Sequence, residues 1–130
     1  QSRSSQLVSF DIKLPSTAIL VHLNEELYNW AIENLVKNGI DAMKGKGQIG
    51  LELKMTTHQV IIEITDNGSG IPKKQFKAIF ETGYTTKKRG WGLGLSLTKR
   101  IVEQYHNGKI KVLSSEIDKG TTIQIALKKL

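Results

Sequence analysis

Polar and apolar residues alternate in several short runs of this chain, and such runs are typical of strands with one buried face. "FDIKL" (10–14) alternates until Pro15 ends it, and "QIGLELKMTT" is joined to "QVIIEIT" by a short turn near His58. The last two apolar runs are separated by "DKG", which predicts a hairpin. The predicted strands cover residues 10–14, 18–23, 48–57, 59–65, 108–117 and 120–130.

Other segments have a helical pattern. Asn24 is a suitable N-cap for a long helix that continues to about Met43, where "KGKG" stops it. In the last predicted helix, apolar residues recur every four positions at Leu97, Ile101 and Tyr105, which predicts its buried stripe. The predicted helices cover residues 24–43, 73–80 and 93–106.

The order of these elements predicts an α+β fold. We expect a two-layer α/β sandwich in which a mixed, mostly antiparallel sheet is covered by helices on one face. Residues 1–9 are polar and predict a flexible lead-in, and residues 10–130 contain no linker or repeat, so they should form one domain. Residues 66–72 and 81–92 are predicted loops, and the second is expected to be flexible because it has no apolar period.

Composition narrows the functional classes. The absence of cysteine excludes disulfides and thiolate metal sites. No apolar run approaches the roughly 20 residues that span a bilayer. Nineteen Lys and Arg against 12 Asp and Glu give a net charge of +7, which favours an anionic partner. The scattered aromatics do not form a stacking platform for nucleic acid. Because the chain begins with Gln1 rather than Met, we expect it to be part of a longer protein.

Two amides and a carboxylate share one side of the long helix. At about 100° per residue, Asn34, Asn38 and Asp41 fall within about 60° of one another, beside the apolar stripe of Ala31 and Leu35. Oxygen ligands of this kind suit a hard cation such as Mg²⁺ that is shared with phosphate and water. A solvated helix flank is the structural alternative.

Asp66 directly follows a predicted strand and is followed by Gly68 and Gly70. Its carboxylate can accept a hydrogen bond from an exocyclic amine, and the glycines would let a ligand approach the backbone. The same residues are also common in plain turns, so the motif alone does not decide between the two.

The stretch "TTKKRGWGLGLSL" (85–97) is the third candidate. It matches neither the Walker loop nor the dinucleotide-binding glycine pattern. It still predicts a glycine-rich helix start, where backbone N–H groups and the helix dipole favour an anion. Three cations lie just upstream, and by themselves they are equally typical of a solvated charge run: Lys87, Lys88 and Arg89.

Taken in this order, the segments resemble the catalytic and ATP-binding domain of sensor histidine kinases, in the GHKL ATPase superfamily. The resemblance covers nearly all of the chain from residue 10 onward and implies the Bergerat-type ATP-binding fold. The matching boxes are "NLVKNGIDAM" (34–43, N box), "DNGSGI" (66–71, first glycine box), "FKAIFETGYTTK" (76–87, F box), "GWGLGLSLTKRIVEQYHNGKI" (90–110, second glycine box) and "GTTIQIAL" (120–127, final glycine-Thr motif).

The resemblance implies roles for single residues. Asn38 would hold Mg²⁺, Asp66 would bind the adenine amino group, and Phe80 would anchor the ATP lid (81–91). The catalytic residues implied are Asn34, Asn38, Lys87, Lys88 and Arg89. Further nucleotide contacts are implied for Asp41, Gly68, Gly70, Ile71, Thr86, Gly90, Gly92, Leu93, Gly94, Leu95, and Thr121 or Thr122.

The resemblance implies transfer of the γ-phosphoryl group of ATP to a protein histidine. Hydrolytic branches of the superfamily, gyrase-like and MutL-like, carry a glutamate base at the position of Asn34, and an amide cannot act as a base. Glu33 should face elsewhere and pair with Lys37. Gly39 stands where alanine is usual in the family, which should weaken the helix by up to about 1 kcal/mol.

The implied partners follow from the same resemblance. The phosphoacceptor would lie on a separate dimerisation domain of the parent protein, because His22, His58 and His106 lack the acceptor motif. A response regulator would act downstream, no nucleic acid is expected, and the isolated chain should be monomeric. The expected location is cytoplasmic, including the cytoplasmic part of a membrane-anchored sensor. Two alternatives stay open: a gyrase-like or MutL-like ATPase, and a nucleotide-binding regulatory module without transfer activity.

Overall fold

The computed structural model describes residues 8–13, 25–43, 47–81 and 92–128. Two 3₁₀ turns, Lys73–Gln75 and Ala78–Phe80, lie in the third of these segments, and a π-helical turn, Ile101–Tyr105, lies in the fourth. The helices of these segments include none with the length and apolarity that a membrane crossing requires. The regular elements are β1 (Val8–Lys13), α1 (Glu25–Ala42), β2 (Gly47–Met55), β3 (Gln59–Asp66), α2 (Gly92–Arg100), β4 (Lys109–Glu116) and β5 (Gly120–Lys128).

The strands form a five-stranded sheet in the order β1-β2-β3-β5-β4. β1 runs parallel to β2, and the other three neighbouring pairs are antiparallel. The predicted α+β fold with a mixed, mostly antiparallel sheet is therefore confirmed. The predicted hairpin across "DKG" is confirmed too, and Asp118 takes a positive φ of 64° in its turn.

One face of the sheet carries the core. The opposite face is polar in its centre, where Lys54 lies 3.4 Å from Glu63 and Gln124 donates to the same carboxylate at 3.0 Å. The helical layer contributes Leu35, Phe80 and Val102, which pack on alternate residues of the central strands. Those strand residues are Val60, Ile62, Ile64, Ile123, Ile125 and Leu127.

The ends of the predicted elements differ in places from the observed ones. β1 begins at Val8, so the last two residues of the predicted lead-in are paired with β2. The predicted strand 18–23 and most of the predicted loop 81–92 lie outside the described residues.

The predicted helix 73–80 is wrong in type, because the segment forms two separate 3₁₀ turns instead. Eight residues are too few to nucleate a stable α-helix without strong tertiary support, and short segments of this kind commonly adopt 3₁₀ geometry.

The buried stripe predicted for the last helix is confirmed at Ile101 and wrong at Leu97, and the side chain of Tyr105 is not described. Leu97 is 39% exposed, whereas Thr98, Ile101 and Val102 are at most 1% exposed and face the core. Beyond Arg100 the helix widens into the π turn, and a ring nitrogen of His106 lies 2.8 Å from the Ile101 carbonyl oxygen. The sequence period cannot anticipate this widening, because it assumes a uniform helix.

The expected pair of Glu33 and Lys37 is not formed. In the described segments, ion pairs join Lys54 to Glu63 and Lys119 to Glu116. Glu33 and Lys37 are both exposed, where solvent and side-chain entropy make such pairs weak.

Candidate functional site

Asp66 ends β3 on the side of the sheet that faces the helices. Ile64, two residues earlier on the same side, belongs to the core. In the ladder, Asp66 lies opposite Ile49 of β2 and Thr121 of β5. Its Oδ1 accepts a hydrogen bond from the backbone N–H of Gly68 at 2.8 Å. The carboxylate is therefore held at the end of the sheet, between the two layers.

Helix α1 passes directly over Asp66 at Gly39. A Cβ placed on Gly39 would lie 3.3 Å from Asp66 Cβ and 2.7 Å from Ile49 Cδ1. The missing side chain lets the helix backbone approach the end of the strand. Gly39 therefore does more than weaken the helix: it brings the N box and the first glycine box into contact.

The two N-box amides differ in their surroundings. Asn34 Nδ2 donates to Thr98 Oγ1 of α2 at 3.1 Å, and Thr98 is fully buried. Asn38, one turn further along α1, has a buried Nδ2 with no hydrogen-bond partner in the described part of the chain. Asn34 thus ties the two helices together, whereas Asn38, which precedes Gly39, leaves one polar end of its amide unsatisfied among the described residues.

Two glycines around Asp66 make room for the protein's own backbone. Gly70 has a φ of 81°, and a side chain there would overlap the carbonyl oxygen of Glu116 in the β4–β5 turn. Gly120 has a φ of 127°, and a side chain there would overlap the carbonyl oxygen of Asp66. The space left by the missing side chains is filled by the protein's own backbone. The positive φ values favour glycine as well, because L-residues rarely adopt them.

Hydrogen bonds fix the first glycine box on both sides. Asn67 Oδ1 accepts from a backbone N–H of β2 at 2.9 Å, and the Ser69 carbonyl accepts from the N–H of Asp118 at 2.8 Å. The N–H of Ile71 donates to Ser115 Oγ at 2.7 Å. The loop that follows Asp66 is therefore held in one conformation by neighbouring strands.

The structure separates the two candidate threonines. Thr121 is 6% exposed, shares the helix-facing side with Asp66, and places Oγ1 2.8 Å from Ser115 Oγ. Thr122 belongs to the opposite side and places Oγ1 3.0 Å from Thr65 Oγ1. Of the two, Thr121 is the one on the side of the sheet where Asp66 lies.

The remaining predicted contacts are distributed along the helical layer. Gly92, Leu93 and Gly94 form the first turn of α2, about one turn before Thr98. Phe80 is 6% exposed and packs in the core, two residues before the segment that is not described. Leu95 and Ile71 are partly buried against the same core. Only the backbone of Asp41 and Leu93 is described, and Thr86, Lys87, Lys88, Arg89 and Gly90 lie outside the described residues.

Residues that can hold a metal are few. The described segments contain no group of three Asp, Glu or His side chains arranged around one point. Mg²⁺ commonly takes only one or two protein ligands and completes its shell with water and phosphate oxygens. The unsatisfied amide of Asn38 fits this requirement, because a rotation about χ2 presents either its oxygen or its nitrogen at the same place.

Sequence reasoning missed two residues of the site, Thr98 and Ser115. The spacing of Thr98 with Ile101 and Val102 was a usable signal, since the three share one helix face. For Ser115 the predicted hairpin brings Gly120 and Thr121 near, but the sequence holds no signal for its contact with Ile71, which only the fold creates.

Residues 24–130 match the family described as histidine kinase-, DNA gyrase B-, and HSP90-like ATPase. The chain belongs to this family. It is 39% identical over 110 residues to sporulation kinase B of Bacillus subtilis, covering 84% of this chain and 25% of that protein. It is 46% identical over 95 residues to the sensor histidine kinase ZraS of Salmonella typhimurium, covering 72% of this chain and 20% of that protein.

Solved structures agree with these relatives. The catalytic domain of histidine kinase ThkA superposes with a TM-score of 0.83 and 27% identity, covering 94% of this chain and 80% of that one. The mycobacterial sensor histidine kinase MprB gives a TM-score of 0.84 and 25% identity, covering 98% and 87%. The fold is thus that of a histidine kinase catalytic domain, and the resemblance read from the sequence is confirmed. The chain spans a quarter or less of the length of the two curated relatives.

Proposed function

We propose that this chain binds ATP with Mg²⁺ between α1 and the end of β3, and transfers the γ-phosphoryl group to a histidine on a separate dimerisation domain. One observation carries the proposal: Asp66 lies under Gly39, next in sequence to the unsatisfied N-box amide of Asn38. An acceptor for a base and a ligand for a metal therefore come from two elements that are packed against each other.

Each end of the nucleotide has a candidate partner. The carboxylate of Asp66 accepts hydrogen bonds only, which suits the exocyclic amine of adenine. At the other end, Asn38 would hold Mg²⁺, which supplies charge neutralisation on the phosphates when bound. The first turn of α2 presents the backbone N–H groups of Gly92 and Gly94, which suit an anion.

The residue at position 34 favours transfer over hydrolysis. Asn34 cannot accept a proton from water, and its Nδ2 already donates to Thr98. Glu33 is exposed on another side of α1. Without a base at this position, the described residues of the proposed site would position the nucleotide and neutralise its charge, and both suffice for phosphoryl transfer to a reactive acceptor.

Neither histidine of the described segments has the acceptor motif around it. His58 is exposed in the β2–β3 turn, and His106 is buried with a ring nitrogen bonded to the Ile101 carbonyl. We therefore place the acceptor on a separate dimerisation domain of the parent protein. Because its relatives are named sensor kinases, we also propose a response regulator as the downstream partner and a cytoplasmic location for this domain, and we expect the isolated chain to be monomeric.

The fate of the γ-phosphate distinguishes the proposed transfer to a protein from hydrolysis of ATP. With labelled ATP, Mg²⁺ and a supplied dimerisation domain, the label should move to that domain, while the chain alone should release little free phosphate. Steady release of phosphate by the chain alone, abolished by Glu33→Ala, would instead favour a gyrase-like ATPase. Binding of ATP without transfer to the supplied domain would favour a regulatory module.

A further inference from the structure

Ser115 joins three groups of the site through one hydroxyl. Its Oγ lies 2.7 Å from the backbone nitrogen of Ile71, 2.9 Å from the carbonyl oxygen of Gly120 and 2.8 Å from Oγ1 of Thr121. Ile71 belongs to the first glycine box, and Gly120 packs on the backbone of Asp66. A single side chain of β4 therefore contacts both the loop that follows Asp66 and the strand that lies beside it.

The chemistry of these partners fixes the direction of each hydrogen bond. The N–H of Ile71 can only donate, and the carbonyl of Gly120 can only accept. Ser115 has one proton, which goes to the carbonyl, so Ser115 accepts from Ile71 and from Thr121. The proton of the Thr121 hydroxyl is thereby directed toward Ser115.

Thr121 then has only lone pairs left for any other partner. It lies opposite Asp66 in the antiparallel ladder, on the same side of the sheet, where side chains of paired residues are about 4.5–5.5 Å apart at Cβ. An ionised carboxylate also offers lone pairs only. The two side chains therefore form a pair of acceptors that suits an N–H donor and repels a carbonyl oxygen.

From this geometry we infer that Ser115 is a positioning residue for base selection: by holding the Thr121 hydroxyl as an acceptor, it makes the site prefer a 6-amino purine over a 6-keto purine. The inference rests on the proposed function, since it assumes that a purine nucleotide binds beside Asp66. Ser115 acts through Thr121 and need not contact the nucleotide.

Binding of ATP and of inosine triphosphate, measured by calorimetry with Mg²⁺, tests the inference. Inosine triphosphate carries a keto oxygen where ATP carries the amine and is otherwise closely matched. In Ser115→Ala the Thr121 proton is free to turn toward the base, so the preference for ATP should fall on the order of tenfold. Ser115→Thr should retain the preference, because it keeps the hydroxyl.

Ser114→Ala is the matched control. Ser114 precedes Ser115 on β4 and is exposed, so the same change there should leave the preference as in the wild type. A thermal melt of each variant without nucleotide records its stability separately. If Ser115→Ala does not fold, Thr121→Val removes the acceptor and keeps the shape, and it should also lower the preference on the order of tenfold.

The outcomes separate the inference from the proposed function. If Ser115→Ala and Thr121→Val weaken both nucleotides by the same factor, or change neither, the role of Ser115 in base selection is overturned while ATP binding stands. If the wild-type chain binds neither nucleotide, the proposed function fails and the inference falls with it. A preference for ATP that falls in Ser115→Ala and stays at the wild-type value in Ser115→Thr supports both the inference and the proposed function.

Discussion

Asp66 and Asn38 are the two side chains on which the proposed nucleotide site depends most. Asp66 is oriented by the N–H of Gly68, and α1 approaches it closely at Gly39, the residue after Asn38. Both were predicted from the sequence, because a carboxylate after a strand and an amide on a helix are recognisable by residue type and spacing. The close approach of α1 to Asp66 at Gly39 was not, since a helix propensity scale values a glycine only by its local cost.

Asp66→Asn should weaken ATP binding and leave the fold intact. Asparagine keeps the shape but replaces one acceptor oxygen with a donor, and a hydrogen bond to a charged group contributes about 1.5–3 kcal/mol, or roughly a 10- to 100-fold change in affinity. Calorimetry with Mg-ATP measures this change. Asp118→Asn is the control, since Asp118 is exposed in the β4–β5 turn and asparagine tolerates its positive φ. Equal affinities for the wild type and Asp66→Asn would count against the adenine role.

Asn38→Ala should remove most Mg²⁺-dependent phosphotransfer. Loss of a fixed electrostatic partner of the phosphates typically lowers the rate on the order of a hundredfold. The rate of label transfer to a supplied dimerisation domain measures the effect. Asn29→Ala makes the same change at an exposed position of α1 and should transfer normally. Transfer by Asn38→Ala at the wild-type rate would mean that the metal is held elsewhere.

At the scale of elements, contacts between backbones decide where α1, β3 and the β4–β5 turn meet. Sequence patterns predicted the long strands and α1, because their apolar residues follow a regular period over many positions. The same reasoning failed for residues 73–80 and for the buried face of α2. In the first case the segment is too short for a period to define it. In the second, the predicted stripe included Leu97 and left out Thr98, which shares the buried helix face with Ile101 and Val102.

Gly120→Ala should cost much more stability than Gly39→Ala, although both add one methyl group. At Gly120 the φ of 127° and the overlap with the Asp66 carbonyl both oppose a side chain, so the free energy of unfolding should fall by at least about 2 kcal/mol. At Gly39 the methyl meets the movable end of Ile49 and gains helix propensity, so the change should stay within about 1 kcal/mol.

Urea unfolding followed by circular dichroism measures both changes. A stable Gly120→Ala variant would show that the contact between β5 and Asp66 is looser than the structure has it. A Gly39→Ala variant that loses several kcal/mol would show that the helix has no room to shift at this point.

At the scale of the whole molecule, the proposed site would take its base-binding end from the sheet and its phosphate-binding end from the helical layer. The architecture was predictable because motifs in a fixed order indicate a known fold. The hydrogen bonds of Thr98 with Asn34 and of Ser115 with Ile71 were not predictable, because they join residues far apart in the sequence. The net charge of +7 favours an anionic ligand without choosing one, so the reaction follows from the site rather than from the charge.

The most direct test of the proposed phosphotransfer is the movement of labelled phosphate from ATP to the dimerisation domain of the parent protein. We expect an acid-labile, base-stable phosphohistidine on that domain, formed by the wild-type chain with Mg²⁺ and nearly absent with Asn38→Ala. Label that remains on ATP, or appears only as free phosphate while the nucleotide is bound, would contradict it.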